Sequence, residues 1–414
     1  YTIRRIMKKN NFDVAIFGNG LTSKVMCLVA LHYGVSFINI KGKEKEEKNA
    51  DDIRSLALSS ASKGMLKILG INLLSQPVKK MIVLEGGVSR GKIKGKVIFD
   101  AEELQEQIAH ICEYSVINKS LEKKLKLDSK YSITEDPISI TEDRDYSKIF
   151  FKNKKIIKSK LNIFTEKLDT NQQNITNTEY NLSDYDQTAI TTTLEHSKDN
   201  KGYAYQFFLK NGPLALLPLK KSRSKNLSSL VWTEKTSNIS EVLSNKNVFE
   251  KTLNELCGTY LGKIKVYVDP ISFPLKKAIC KSQLINRNIL IGDAARSMHP
   301  LAGQAWNQAL RDLAYLADAI VESKKLGLDI ISCPSLLTFK RKRKIESNAF
   351  VEGISFINSV FMSESSLAKG FRRNMMKLIN NKDILKKLIA NEASGGALER
   401  PSLLINEEAG SKII

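Results

Sequence analysis

Residues 12–40 read FDVAIFGNGLTSKVMCLVALHYGVSFINI. Residues 12–17 are a short apolar run of strand length that ends in glycine. Residues 21–33 have the length and spacing of a helix, and 35–40 are a second short apolar run. Together they read as a βαβ unit. The turn from strand to helix is Gly18-Asn19-Gly20-Leu21-Thr22-Ser23. In a dinucleotide fingerprint the first glycine makes the tight turn and the second lets backbone approach a pyrophosphate. The third lets the helix pack against the strand. Here the third is Ser23, which is small but not glycine. A pyrophosphate would rest on the helix N-terminus, held by N–H groups and the helix dipole. Where an acidic residue normally holds the ribose, the end of the second strand offers Asn39, whose amide accepts a hydrogen bond without charge.

Outward from this unit, residues 41–50 read as a charged, solvated loop. Residues 56–69 look helical with Gly70 as cap, 82–99 suggest a strand pair, and 101–115 look helical again. Residues 121–184, rich in Lys, Asn, Thr, Asp and Ser, read as short strands and loops. Strand-like runs follow at 188–194, 203–209, 214–219 and 228–233, with Asn211-Gly212-Pro213 as a turn, and 266–279 adds one or two more. After 288–291 the pattern is helical almost to the end, broken at Pro334 and at Gly395-Gly396. This order predicts an α/β fold. A Rossmann-like nucleotide domain (10–75, 100–180 and 285–330) is interrupted by an antiparallel sheet domain for the substrate (76–99 and 181–284). A C-terminal helical region (331–400) closes the chain.

The 414 residues carry a net charge of +21, from 65 Lys+Arg against 44 Asp+Glu. Such a surface attracts anionic phosphate. No aromatic-plus-basic stacking motif accompanies it, so no nucleic-acid partner is expected. Five cysteines without a CxxC pair and only four histidines argue against a disulfide framework and against a metal site. With no run of about 18 apolar residues and no signal-peptide pattern, a cytoplasmic protein is the expectation.

A second stretch, residues 288–320, reads NILIGDAARSMHPLAGQAWNQALRDLAYLADAI. A strand runs into Gly292-Asp293, an irregular loop carries His299, Pro300, Gly303 and Gln304, and a helix starts near Trp306. This segment resembles the GDAAH…HPxxGQGxNxGxxD run of the class A flavoprotein monooxygenases, which share the p-hydroxybenzoate hydroxylase fold. From residue 12 to about 396 the chain is similar, more narrowly, to the 2-polyprenyl-6-methoxyphenol hydroxylases of ubiquinone biosynthesis. Arg54-Ser55-Leu56-Ala57-Leu58-Ser59, the run GPLALLPL at 212–219, SLVWT at 229–233 and the closing stretch 350–396, with Arg372-Arg373, carry that resemblance.

The resemblance implies FAD as cofactor, with Gly18, Gly20 and Ser23 facing its pyrophosphate and Asn39 its ribose. Arg54 would lie near the flavin and its ribityl chain, and Gly292 and Asp293 at the ribityl–pyrophosphate region. Pro300, Ala302, Gly303, Gln304 and Ala305 would line the isoalloxazine ring, with Pro300, Gly303 and Gln304 as the catalytic set. Asn307 would start the helix beneath it. It further implies NAD(P)H as co-substrate and O2 as oxidant, with hydroxylation through a C4a-hydroperoxyflavin. The substrate would be a polyprenyl-phenol, with an apolar wall from Phe207, Phe208, Leu216, Leu217 and Trp232. Such a substrate calls for contact with a membrane surface, on the inner face of the cytoplasmic membrane, and for other ubiquinone-biosynthesis proteins as partners. The basic run 340–344 reads as a lipid contact or as a solvated helix face, and 356–362 as a membrane-facing patch or as helix core.

The chain departs from the family pattern in places. Where the family has A-D-G-x-N-S-x-x-R, Thr165-Glu166-Lys167-Leu168-Asp169-Thr170 stands. Glu166 replaces the aspartate, Lys167 the glycine, and no arginine follows. Ala305 and Ala309 replace glycines, and Arg296 a histidine. Alanine where backbone nears a ligand costs close approach, so weakened FAD binding is expected. Two alternatives remain: the same fold acting on a soluble aromatic, and a flavin-poor scaffold in a ubiquinone-biosynthesis assembly.

Overall fold

The first strand, β1 (Asn11–Phe17), buries Val14 to Phe17 on both faces, as a central strand of a parallel sheet must. The helix α1 (Leu21–His32) returns the chain to the neighbouring strand, β2 (Phe37–Ile40). The computed structural model describes residues 10–42, 53–86, 95–126, 131–222, 224–393 and 400–405, without the side chains of Ala302 and Ala393. Residues 43–50 of the expected charged loop and Gly395-Gly396 lie outside the described residues.

β1 pairs in parallel with β2 on one side and with the strand Ile156–Phe164 on the other. Ile156–Phe164 pairs in parallel with Asn288–Leu290. The strand order therefore reverses direction beside β1, and α/β sheets bind ligands at the carboxyl ends of strands at such a point. Phe17, Ile40, Phe164 and Leu290 end level with one another, and the rings of Phe17 and Phe164 stack 4.2 Å apart. Four loops consequently leave the sheet at one place, beginning at Gly18, Lys41, Thr165 and Ile291.

The second sheet runs in the order Arg296–Ser297, Ile271–Cys280, Tyr180–His196, Asn226–Lys235, Gly212–Pro218, Tyr203–Leu209, Lys80–Glu85, Gly95–Asp100. It is antiparallel except where Tyr203–Leu209 meets Lys80–Glu85. One face is covered by the helix Lys246–Leu261, which buries Phe249, Leu253, Cys257 and Leu261. C-terminal helices reach the other face. There Arg372 pairs with Glu85 at 3.1 Å and donates to the Val360, Phe361 and Ser363 carbonyls, which caps the end of the helix Pro334–Met362.

Three local expectations are corrected. Residues 56–69 divide into the strand Ser55–Leu58 and the helix Ser60–Ile68, because the Ser59 side chain accepts from the Ser62 N–H and caps the helix there. Residues 101–115 hold one helical turn, Ala101–Leu104, which Gln105 ends in a left-handed conformation (φ 55°), and only the first two residues of the next helix, Tyr114–Leu125. The strand His110–Glu113 lies between them and pairs with Ser55–Leu58. Within 121–184, the polar-looking Ile156–Phe164 is a central strand. Its polar members Ser159 and Asn162 are buried and bond each other, and Asn162 also donates to Asn288 at 2.8 Å.

The wall proposed from Phe207, Phe208, Leu216, Leu217 and Trp232 splits by the two-residue period of a strand. Phe207, Leu216 and Trp232 belong to the core beneath Lys246–Leu261. Phe208 faces the other way and stacks on Phe361 with centroids 3.7 Å apart.

Candidate cofactor site

Gly18 ends β1 with φ +131°, a conformation open to glycine. Its N–H donates to the Ile40 carbonyl at 2.9 Å. A Cβ at this residue would come 2.4 Å from Thr165 Oγ1 and 3.0 Å from Glu166 Oε1, so the loop has no room for a side chain. Gly20 is the N-cap of α1; no side chain caps the helix, and no acid stands in its first turn. The N–H groups of Asn19 and Gly20 both donate to one oxygen, Glu166 Oε1, at 2.6 and 2.5 Å. The loop is thus an anion nest at a helix N-terminus, and a carboxylate of the chain itself sits in it.

Asp293 follows the strand Asn288–Leu290 by three residues. Protein surrounds it, yet its side chain is open to solvent, which places it on the floor of a cleft. Burial pushes its carboxyl above the usual carboxylate range and Glu166 adds to this, while Arg54 and Arg296 act the other way. Arg54, Glu166 and Asp293 therefore share one electrostatic neighbourhood. Arg54 lies over the Tyr114 ring at 4.8 Å.

The turn Leu301–Gly303 and the helix Ala305–Leu326 follow Asp293 in the chain. Gly303 (φ +60°) packs on the strand Ser55–Leu58: a Cβ there would lie 3.2 Å from that of Ala57. Asn307 staples the two segments. Its Nδ2 donates to the Ala57 carbonyl at 2.8 Å and to Gln304 Oε1 at 3.1 Å, and its Oδ1 accepts from the Ser59 N–H at 3.0 Å. Pro300 precedes the turn and Ala305 is exposed at the helix start.

Residues 155–325 match the family model described as "FAD binding domain". Across 92% of its length the chain is 26% identical to "Ubiquinone hydroxylase UbiL" of Rhodospirillum rubrum, covering 89% of that protein. It is 24% identical to the 3-demethoxyubiquinol 3-hydroxylase of Escherichia coli, covering 92% of this chain and 98% of that one. The chain is an FAD-dependent monooxygenase. Its fold is that of p-nitrophenol 4-monooxygenase PnpA from Pseudomonas putida DLL-E4, with a TM-score of 0.74 at 15% identity over 94% of this chain and all of the other.

FAD fits this monooxygenase at the nest: converging N–H donors, a glycine that admits no side chain and an adjoining solvent-open cleft are what a pyrophosphate at a helix N-terminus needs. Gly18, Asn19 and Gly20 would hold the pyrophosphate, with Arg54 and Asp293 beside the ribityl chain. Two sequence assignments shift. Asn39 is buried and turns inward, donating to the Ile16 and Gly18 carbonyls at 3.1 and 2.9 Å, so its amide braces the glycine loop. The residue that leaves β2 at its carboxyl end is Lys41. Ser23 is also buried and donates to the Gly20 carbonyl at 2.8 Å, which rigidifies the turn.

Sequence reasoning missed two parts of the site. One is Glu166 as the occupant of the nest. The other is Asp312, fully buried under the Gly292 turn. It accepts from the Gly292 N–H at 3.0 Å, from Arg296 Nη2 at 3.1 Å and from Arg343 Nε at 2.7 Å. The aspartate that closes the GxxD pattern was the available signal. Arg343 corrects the reading of 340–344 as a uniformly solvent- or lipid-facing run. Lys340, Arg341 and Lys344 are exposed, but Arg343 is 0% exposed.

His299, next to Pro300, is buried. Its Nδ1 accepts from the Leu301 N–H at 3.2 Å, and burial pushes its pKa down to about 4. Burial, with Lys63 adding, does the same to His110, also to about 4. Both stay neutral in the fold, whereas the unfolded chain takes up protons below about pH 6.5. The contribution to stability is therefore present above about pH 6.5 and is lost as the pH falls toward 4. Urea unfolding between pH 7 and 5 is expected to show a folding constant that drops by up to about tenfold per pH unit for each histidine. His299→Gln, whose amide oxygen can still accept from Leu301, should remove its share of that slope.

Proposed function

We propose that this FAD-dependent monooxygenase hydroxylates the ring of a polyprenyl-phenol precursor of ubiquinone, with NAD(P)H as reductant and O2 as oxidant. The observation that carries the reading is the end-to-end likeness to two ubiquinone-pathway hydroxylases, each matched over 92% of this chain. The bound flavin would supply the oxygen chemistry. The chain's own share is to bind, orient and exclude water. Met298 and Leu301, on either side of His299-Pro300, pack with Val351 and Ile354, and Phe208, Ile279 and Phe350 lie half-buried against them. This apolar ground joins the flavin-side turn to the second sheet, and an apolar ring would be held there away from water. Pro300, Gly303 and Gln304 would border the reacting ring. The protein would work at the inner face of the cytoplasmic membrane beside other ubiquinone-biosynthesis proteins.

The test is NADH and NADPH oxidation by the FAD-loaded protein, with the product followed by mass spectrometry. A short-chain prenylated phenol is expected to gain one oxygen atom, and an unprenylated aromatic acid is expected to be turned over poorly. Preferential turnover of the acid would replace this reading with the soluble-aromatic one.

Glu166 makes a separate prediction. Its carboxylate takes the place a phosphate needs, so FAD binds in competition with it. Glu166→Ala is expected to lower the FAD Kd by about tenfold, the worth of one charge-assisted interaction, measured by quenching of flavin fluorescence. Weaker binding in the variant would mean that the carboxylate braces the loop for FAD.

A further inference from the structure

The last two described helices turn apolar side chains outward. Ser366–Asn381 buries Arg372 and Met376, the first paired with Glu85 and the second packed on Val97 and Phe361. It leaves Leu367 86% exposed, with Phe371 and Leu378 also exposed, at i, i+4 and i+11 on one side. Asp383–Ala393 goes further: it buries Lys386 and Ala390 and exposes Ile384 (75%), Leu388 and Ile389. A helix on a protein that faces only water does the opposite. The ring of Phe371 meets that of Phe356 edge-on at 6.5 Å, so the patch continues onto the preceding helix, where Phe356 and Ile357 are exposed. Patches of this kind mark an interaction surface.

The charge around it selects the partner. Arg373, Lys377 and Lys387 are exposed on the same two helices, and Lys382 between them. Of the acids nearby, Glu364 pairs with Lys369 and Glu392 with Arg311, which leaves Asp383 and, on the turn Ala101–Leu104 that packs against Asp383–Ala393, Glu102 and Glu103, fewer than the four cations. Apolar tips among lysines and arginines suit the interface plane of an anionic bilayer, with the cations at the headgroups. A symmetric contact with a second copy would set these cations against themselves.

We propose that the face formed by Phe356, Leu367, Phe371, Leu378, Ile384 and Leu388 docks this protein on an anionic lipid bilayer. The purpose of such docking rests on the polyprenyl-phenol reading; the surface itself is read from exposure and charge.

The test is co-sedimentation of the full, FAD-loaded chain with phosphatidylcholine vesicles, with and without phosphatidylglycerol. The wild type is expected to partition into the anionic vesicles and to be released by salt. The pair Leu367→Glu/Ile384→Glu should lose about tenfold or more of that partitioning, and Lys377→Glu/Lys387→Glu about fivefold per charge. FAD affinity and melting temperature should be unchanged in both, since the replaced side chains face solvent. Equal binding to neutral vesicles, or full binding by the Leu367/Ile384 pair, would overturn the proposal. So would a concentration-dependent dimer that the same pair dissolves, because it would give the face to a second copy. Vesicle binding without turnover of the prenylated phenol would sink the substrate reading and leave the docking surface standing.

Discussion

Replacing Asp312 with alanine is expected to destabilise the protein by about 3–5 kcal/mol, the loss typical when one partner of a buried ion pair is removed. Asp312 is 0% exposed and sits between Arg296 and Arg343, which are 3% and 0% exposed. Burial alone would raise its carboxyl; the two guanidiniums reverse this and hold it below the usual carboxylate range. Alanine would leave Arg296 without its anion and Arg343 with Glu346 alone, at 2.7 Å, and would free the Gly292 N–H. Urea unfolding measures the loss. Adding Arg343→Met to Asp312→Ala should recover part of it, because a cation that has lost its buried partner leaves the interior and an apolar side chain of similar length replaces it. A double variant no more stable than Asp312→Ala would show that the cost lies in the Gly292 turn and not in the charges.

The second large effect is expected at Gly18. Gly18→Val should weaken FAD binding by about a hundredfold or more, since the nest forms only when this residue takes a conformation that glycine alone reaches cheaply. The added side chain would also collide with Thr165 and with Glu166. The control is Gly34→Ala. Gly34 also has a positive φ, +60°, but no atom lies within 4 Å of its missing Cβ. It should cost about 1 kcal/mol of stability from backbone strain and leave FAD affinity as it was. Flavin fluorescence titration of both variants reads the difference. Equal losses of affinity would mean that strain in the βαβ unit, and not the nest, governs binding.

The opening unit was legible at the level of single elements. A 3.6-residue period between two apolar runs, with glycines at the junction, leaves little else for residues 12–40 to form, and the strand-turn-helix of 288–320 is as direct. Elements whose pattern is local were read well: the strands from 188 to 233 were found and proved longer, Tyr180–His196 and Asn226–Lys235. Ile156–Phe164 was hidden because its buried polar residues, Ser159 and Asn162, satisfy each other and break the apolar run that marks a central strand.

What the sequence by itself determined was thus the anion-binding turn, the order of the two sheets and the residue types on the cofactor loops. Tertiary structure alone decided which side chains those loops use. Glu166 reaches the Asn19 and Gly20 amides across about 147 residues of chain because parallel pairing ends β1 and Ile156–Phe164 at one level. Arg343 looks like one more cation in a basic run, and it is buried because Asp312, 31 residues earlier, waits on the facing helix. Asn39 faces the glycine loop and not the cleft because the pleat of β2 turns it there. Lys386 is buried while Ile384 lies in the open. Periodicity records what a segment could bury; which neighbour supplies the opposite charge, the amide or the covering surface depends on packing between distant parts of the chain, and no local pattern carries that.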